Sequence, residues 1–159
     1  MRVDLIINGE EEPLEVEPGD TLLEALRAHG HTSVKNGCAN GDCGACAVLF
    51  DGRAVASCLV FAAQADGAEI TTIEGLAGED AAYHPLQQTM LDAGGVQCGF
   101  CIPAMILTAA DLLARNPEPT REEIGSYLAG NLCRCTGYVK QVDAIEMAAV
   151  ILREGGADG

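Results

Sequence analysis

Gly37-Cys38-Ala39-Asn40-Gly41-Asp42-Cys43-Gly44-Ala45-Cys46 is the stretch on which the reading of this chain turns. Three Cys stand at C-x4-C-x2-C spacing, a fourth follows as Cys58 after an x11 gap, and no apolar period of a strand or helix runs through the segment. A loop that carries thiols is the consequence. Gly37, Gly41 and Gly44 permit positive φ and close backbone approach, so main-chain N–H groups can point at bound sulfur and stabilise its negative charge. Strands flank the loop on both sides. Upstream, Arg2 to Ile7 is apolar and β-leaning, Asn8-Gly9 is a two-residue hairpin signal, and Leu14 to Glu17 resumes the alternation. Asp20 or Thr21 then caps a short helix, Leu22 to Arg27, that stops near Gly30. Downstream, Ala47 to Phe50, the turn Asp51-Gly52 and Ala54 to Phe61 make a second hairpin, and Ile70 to Ile73 a last short strand. Two hairpins and a helix predict a compact α+β sheet domain.

The second half changes period. Leu86, Met90 and Leu91 sit at helical spacing, and Ile102 to Arg115 holds a long apolar face before the breaker Asn116-Pro117. Thr120-Arg121-Glu122-Glu123 is a capping box that opens a third helix, and Val142, Ile145, Ala149 and Leu152 line one face of a fourth, Val139 to Arg153. This half reads as all-helical. Glu74 to Ala82 interrupts both patterns, which gives two units, residues 1–76 and 83–155. A second thiol set falls in the helical unit: Cys98, Cys101, Cys133 and Cys135, spaced C-x2-C-x31-C-x-C.

Four thiolates per half is the ligand count of one zinc ion or one iron-sulfur cluster. Cys38, Cys43, Cys46 and Cys58 follow the plant-type 2Fe-2S spacing, in which a loop wraps one face of the cluster and the fourth Cys comes from a distant strand. A zinc ribbon would show two C-x2-C knuckles, and the x4 gap spoils the first. The second set is less diagnostic. Cys98 and Cys101 lie one turn apart at the head of the apolar helix, with Pro103 just inside its start, so the helix N-terminus can face an anionic site. Cys133 and Cys135 flank Arg134 and point to one side if that segment is extended. By spacing alone, zinc stays open for this set.

Composition narrows the function further. The 159 residues carry 24 acidic against 9 basic side chains, a formal net charge of −15, which excludes nucleic acid and an anionic membrane surface as partners. No apolar run approaches the length of a membrane span, and no signal peptide or twin-arginine signal is visible, so a cytoplasmic address is expected. In that reducing compartment eight Cys serve as metal ligands or redox groups rather than disulfides. Aromatic residues make up 4% of the chain, with no Trp, so the core must be Ala, Leu, Ile and Val, and a bound metal can supply the missing staple. No G-x-G-x-x-G, no G-x-x-x-x-G-K-S/T and no Ser-His-Asp or paired-carboxylate spacing stands out, so substrate chemistry is expected on another chain. His29, His31 and His84 form no ligand pair.

Ile7-Asn8-Gly9, the Gly37 to Cys46 loop, Gln97-Cys98-Gly99-Phe100-Cys101 and Gly130-Asn131-Leu132-Cys133-Arg134-Cys135-Thr136-Gly137-Tyr138 resemble, in that order, the small iron-sulfur subunit of molybdenum hydroxylases, the xanthine oxidase family. The likeness covers nearly the whole chain. It implies an N-terminal β-grasp, plant-ferredoxin-like domain with one 2Fe-2S cluster and a C-terminal four-helix bundle with a second. It also implies Gln97 and Cys135 as contacts with the pterin of a molybdenum cofactor, which makes Cys135 both cluster ligand and entry point for electrons. A large molybdopterin-binding subunit and a medium FAD-binding subunit are the implied partners, and a dimer of heterotrimers is the expected assembly. Electrons left on molybdenum would pass singly through the helical cluster and then the ferredoxin-like one to the flavin. Ala104 departs from the Gly that relatives commonly carry after the Pro. A free-standing ferredoxin-type carrier and a zinc-stabilised interaction module are the competing readings, and an extra helical domain with four more thiols argues against the first.

Overall fold

The computed structural model describes residues 1–77 and 83–155. Strand β1, Arg2–Ile7, alternates strictly, with Val3, Leu5 and Ile7 buried and their neighbours exposed. It turns at Asn8 and Gly9, both at positive φ (54° and 89°), into β2, Glu10–Glu15. The pairing is antiparallel from Ile7 opposite Glu10 to Arg2 opposite Glu15. β2 therefore begins directly after the turn, earlier than the apolar residues suggest. It is an edge strand, where Glu10-Glu11-Glu12-Pro13 meets water and the missing proline N–H leaves no gap in the ladder. Helix α1, Leu22–Ala28, is capped by a reciprocal box between Thr21 and Glu24 and buries Leu22, Leu23, Ala25 and Leu26. β3 (Ala47–Phe50) and β4 (Arg53–Ala56) form the second hairpin, and β5 (Glu69–Thr71) completes a sheet of order β2-β1-β5-β3-β4. β5 runs parallel to β1 and antiparallel to β3. This mixed sheet grasping one helix is the expected β-grasp. β4 is shorter than the sequence suggested: the chain leaves the sheet at Ser57 for a 3-10 turn, Ser57–Leu59.

Helices α2 (Pro85–Asp92), α3 (Ile102–Arg115), α4 (Arg121–Tyr127) and α5 (Val139–Gly155) make the bundle. His84, at the entrance to α2, caps it by accepting the Leu86 N–H at 3.2 Å. α3 is buried almost all round, from Ala104 to Leu113, because it touches α2 and α4 on one side and β3 and β4 on the other. Two apolar cores result, one of residues from Val3 to Ile70 and one from Leu86 to Ala149. Between them lies a polar joint. Asp111 of α3, 3% exposed, accepts the Ala54 N–H of β4 at 3.0 Å, the Tyr127 hydroxyl at 2.9 Å and the Arg115 guanidinium at 2.6 Å. Burial works against the charge, but these donors outweigh it and hold the Asp111 carboxyl below its ordinary range. The segment expected to separate the units, Glu74 to Ala82, lies partly outside the described residues, beyond position 77. No helix among the described residues is long and apolar enough to cross a membrane.

Candidate metal centres

The loop from Cys38 to Cys46 curls so that backbone donors face sulfur. The Cys38 Sγ receives the Asn40 and Cys43 N–H groups at 3.5 and 3.4 Å, and the Cys43 Sγ receives the Ala45 N–H at 3.5 Å. Gly37 is required by approach rather than by φ, since a Cβ there would sit 2.7 Å from the Cys43 Sγ. Cys58 arrives from the 3-10 turn, not from a strand. Ser57 ties that turn to the loop, donating both its N–H and its hydroxyl to the Cys46 carbonyl, the latter at 2.7 Å.

The thiols of this set are grouped two and two. Cys43 is hydrogen-bonded by the Cys38 side chain, and Cys58 by that of Cys46. The Asn40 and Cys43 amides bring the Cys38 thiol down to about 7, whereas burial and the Cys46 thiol push Cys58 up to about 11. A bound metal would complete the deprotonation that the amides begin.

The second set repeats the arrangement from different elements. Cys101 closes the turn at the head of α3 and faces Cys133, while Cys98 faces Cys135. Cys101 is buried and its thiol is pushed up to about 12 by that burial; burial also raises Cys133, but the Thr136 hydroxyl and the Cys135 and Thr136 amides carry it down to about 7. Cys98 and Cys135 are exposed. So is Gln97, beside them. The inner pair thus lies in the bundle and the outer pair at the surface. Tyr138, held at φ 69°, accepts the Cys133 N–H on its hydroxyl at 2.7 Å and so fixes the Cys133-Arg134-Cys135 segment. Among the described residues no three His, Cys, Asp or Glu side chains close on a point that one metal ion would occupy. Facing pairs instead suit a binuclear centre, in which each iron takes two thiolates, and the N–H donors and glycine cradle suit its negative charge. The residues fit the cluster.

The two loops touch. Leu132 N–H donates to the Cys43 carbonyl at 2.9 Å, and the buried Asn131 amide donates to the Gly44 carbonyl at 3.1 Å. Gly44, at φ 68°, admits this contact because a Cβ would fall 2.1 Å from the Gly130 oxygen. Asn131, Tyr138, Asp111 and Gln141 are absent from the set expected from sequence. A polar residue inside an apolar run, as Asp111 is, is the one signal available, and it does not name the partner; Gln141, between Lys140 and Asp143, gives none.

A β-grasp sheet, a helical bundle and eight thiols in facing pairs define a carrier of two small iron-sulfur clusters. Comparison with known proteins agrees: residues 5–77 match the family described as 2Fe-2S iron-sulfur cluster binding domain, and residues 72–146 the one described as 2Fe-2S binding domain. The nicotinate dehydrogenase small FeS subunit of Eubacterium barkeri is 52% identical over 147 residues, 92% of this chain and 93% of the relative. The xanthine dehydrogenase iron-sulfur-binding subunit of Escherichia coli O157:H7 is 48% identical over 145 residues, 90% and 91% of the two chains. Among solved structures, a chain of quinoline 2-oxidoreductase from Pseudomonas putida 86 superposes with a TM-score of 0.92 at 43% identity, covering 98% of this chain and 97% of that one. This chain belongs to the molybdenum hydroxylase family, as a small iron-sulfur subunit.

Proposed function

We propose that this chain conducts electrons between the molybdenum centre and the flavin of a cytoplasmic hydroxylase, each half, residues 1–76 and 83–155, holding one cluster. Cys38, Cys43, Cys46 and Cys58 hold the first, and Cys98, Cys101, Cys133 and Cys135 the second. When bound, a 2Fe-2S cluster accepts and releases one electron at a time. The chain supplies the rest. Its backbone N–H groups offset the negative charge on the thiolates, α3 shields the inner pair, and the Leu132 to Cys43 hydrogen bond joins one ligand loop to the other. Gln97 and Cys135 form the end that meets the molybdopterin of a large subunit, and the ferredoxin-like loop faces the FAD of a medium subunit. The complex is a dimer of heterotrimers.

The observation that carries this reading is the contrast between the outer pair, Cys98/Cys135, open to a partner beside exposed Gln97, and the inner pair, Cys101/Cys133, which packs with the core of the bundle. Gln97→Ala tests it, since the change removes a hydrogen bond to the pterin without touching a ligand. Both clusters should assemble. In the complete complex, rapid-mixing absorbance should show slower reduction from the substrate side and little change from the flavin side. A variant slowed only from the flavin side would show that the two ends are assigned backwards.

A further inference from the structure

Gln141 is a buried amide that ligation of the clusters leaves unexplained. It stands in the first turn of α5, fully shielded from water, beside the apolar stripe of Val142, Ile145 and Ala149. An amide placed there without partners is strongly disfavoured, so its hydrogen bonds state its role. Its Nε2 donates to the Gly95 carbonyl at 3.3 Å and lies 3.7 Å from the Cys133 Sγ and 3.9 Å from the Cys101 Sγ. Its Oε1 accepts the Thr136 hydroxyl at 2.9 Å. The opposite orientation would set the amide oxygen against a carbonyl and two sulfurs, all acceptors, so the network fixes which atom is nitrogen. One of the two amide hydrogens serves Gly95. The other falls between the sulfurs of the inner pair.

Neighbouring residues are shaped around this amide. A Cβ on Gly95 would lie 2.8 Å from the Met90 Sδ and 3.4 Å from the Gln141 Cγ, so the glycine leaves room for Gln141 to reach the turn that leads to Cys98. Thr136 also reaches Cys133, but its hydroxyl cannot donate to that sulfur and to Gln141 at once. Its hydroxyl has a single proton and two acceptors within reach, the Gln141 Oε1 and the Cys133 Sγ at 3.1 Å.

We propose that Gln141 is a positioning residue of the second centre, whose shared N–H···S hydrogen bond to Cys101 and Cys133 raises the reduction potential of the cluster these thiolates hold. The proposal rests on the ligand assignment made above. One-electron reduction adds negative charge that spreads onto the thiolates, and a donor aimed at them stabilises the reduced form more than the oxidised one. Gln141 and Cys101 are buried and Cys133 is half-buried, so the interaction acts in a reduced local dielectric. The amide keeps its proton throughout; only the electron arrives and leaves.

Gln141→Leu and Gln141→Glu in the complete complex test this, with iron and labile sulfide counted first and each cluster's potential followed through its paramagnetic signal. Leu removes the donor while keeping most of the volume, and Glu puts an oxygen where the nitrogen stood. The reduction equilibrium of the Cys98/Cys101/Cys133/Cys135 cluster should fall by about threefold to tenfold for Leu, a tenfold change being 59 mV for one electron, and at least as far for Glu. The other cluster should not move. Wild-type protein carrying 15N-glutamine provides a second measurement that needs no substitution: pulsed paramagnetic resonance should detect a glutamine nitrogen coupled to the second cluster. Full cluster content with unshifted potentials, or no such coupling, would overturn the role of Gln141 and leave the electron-transfer reading standing. Wild-type protein without iron and sulfide would overturn the ligand assignment itself, and the role of Gln141 with it.

Discussion

Substituting Gly44 with Ala drives a wedge between the two ligand loops. Gly44 sits at φ 68°, where a side chain costs about 1 kcal/mol. Its Cβ would stand 2.1 Å from the Gly130 oxygen and 3.0 Å from the Asn131 Nδ2, so the loops must part by about 1 Å to restore van der Waals contact. That movement breaks the Asn131 bond to the Gly44 carbonyl and stretches the Leu132 bond to the Cys43 carbonyl, each worth about 1 kcal/mol. The sum is about 3 kcal/mol, a fall in melting temperature of roughly 6–12 °C for a chain of this size. Gly52 isolates the backbone contribution, because it has φ 76° with nothing within 4 Å of its Cβ position. Gly52→Ala should therefore cost about 1 kcal/mol, roughly 2–4 °C. Melting of the iron-loaded protein, followed by far-ultraviolet circular dichroism and by the visible absorption of the clusters, compares the two. Equal losses for Gly44→Ala and Gly52→Ala would refute the close contact between the loops.

Cys43→Ser should remove or disturb one paramagnetic signal and leave the other, and Cys98→Ser should do the converse; loss of both signals from a folded variant would contradict the division of ligands between the halves. Asp111→Asn should destabilise the protein by about 1–3 kcal/mol at neutral pH. Because the folded carboxyl is held below its ordinary value, its contribution is complete above the unfolded value near 3.8 and is lost as pH falls through the folded one. The gap between wild type and variant should therefore close in acid, and a gap independent of pH across a melting series would show that the carboxylate charge is not what stabilises the joint.

The chemistry of this chain was more legible in its sequence than its joints were. The x4 and x2 gaps after Cys38 fix a loop geometry within a few residues, and Asn8-Gly9, Thr21 with Glu24, and Thr120 with Glu123 act locally, so turn and caps follow from neighbours alone. The apolar pattern starts β2 late because Glu10 to Pro13 has no apolar alternation. An edge strand needs little, and its pairing comes from β1. Ala54 to Phe61 is apolar enough for a longer strand than β4, whereas the Ser57 bonds to the Cys46 carbonyl accompany the chain's departure from the sheet that delivers Cys58. The sequence marks Gly44 as a source of unusual φ, which it is, but its contact with Gly130 joins residues far apart in sequence. Asp111 with Ala54 and Gln141 with Cys101 are long-range in the same sense. No local pattern specifies such partners.

The division of eight thiols into two binuclear centres is tested most directly by metal and sulfide analysis of the freshly isolated native complex, joined to paramagnetic resonance of the reduced protein. About four irons and about four labile sulfides per copy of this chain, with two distinguishable 2Fe-2S signals, are expected. Stoichiometric zinc bound to this chain, with no labile sulfide, would contradict the account.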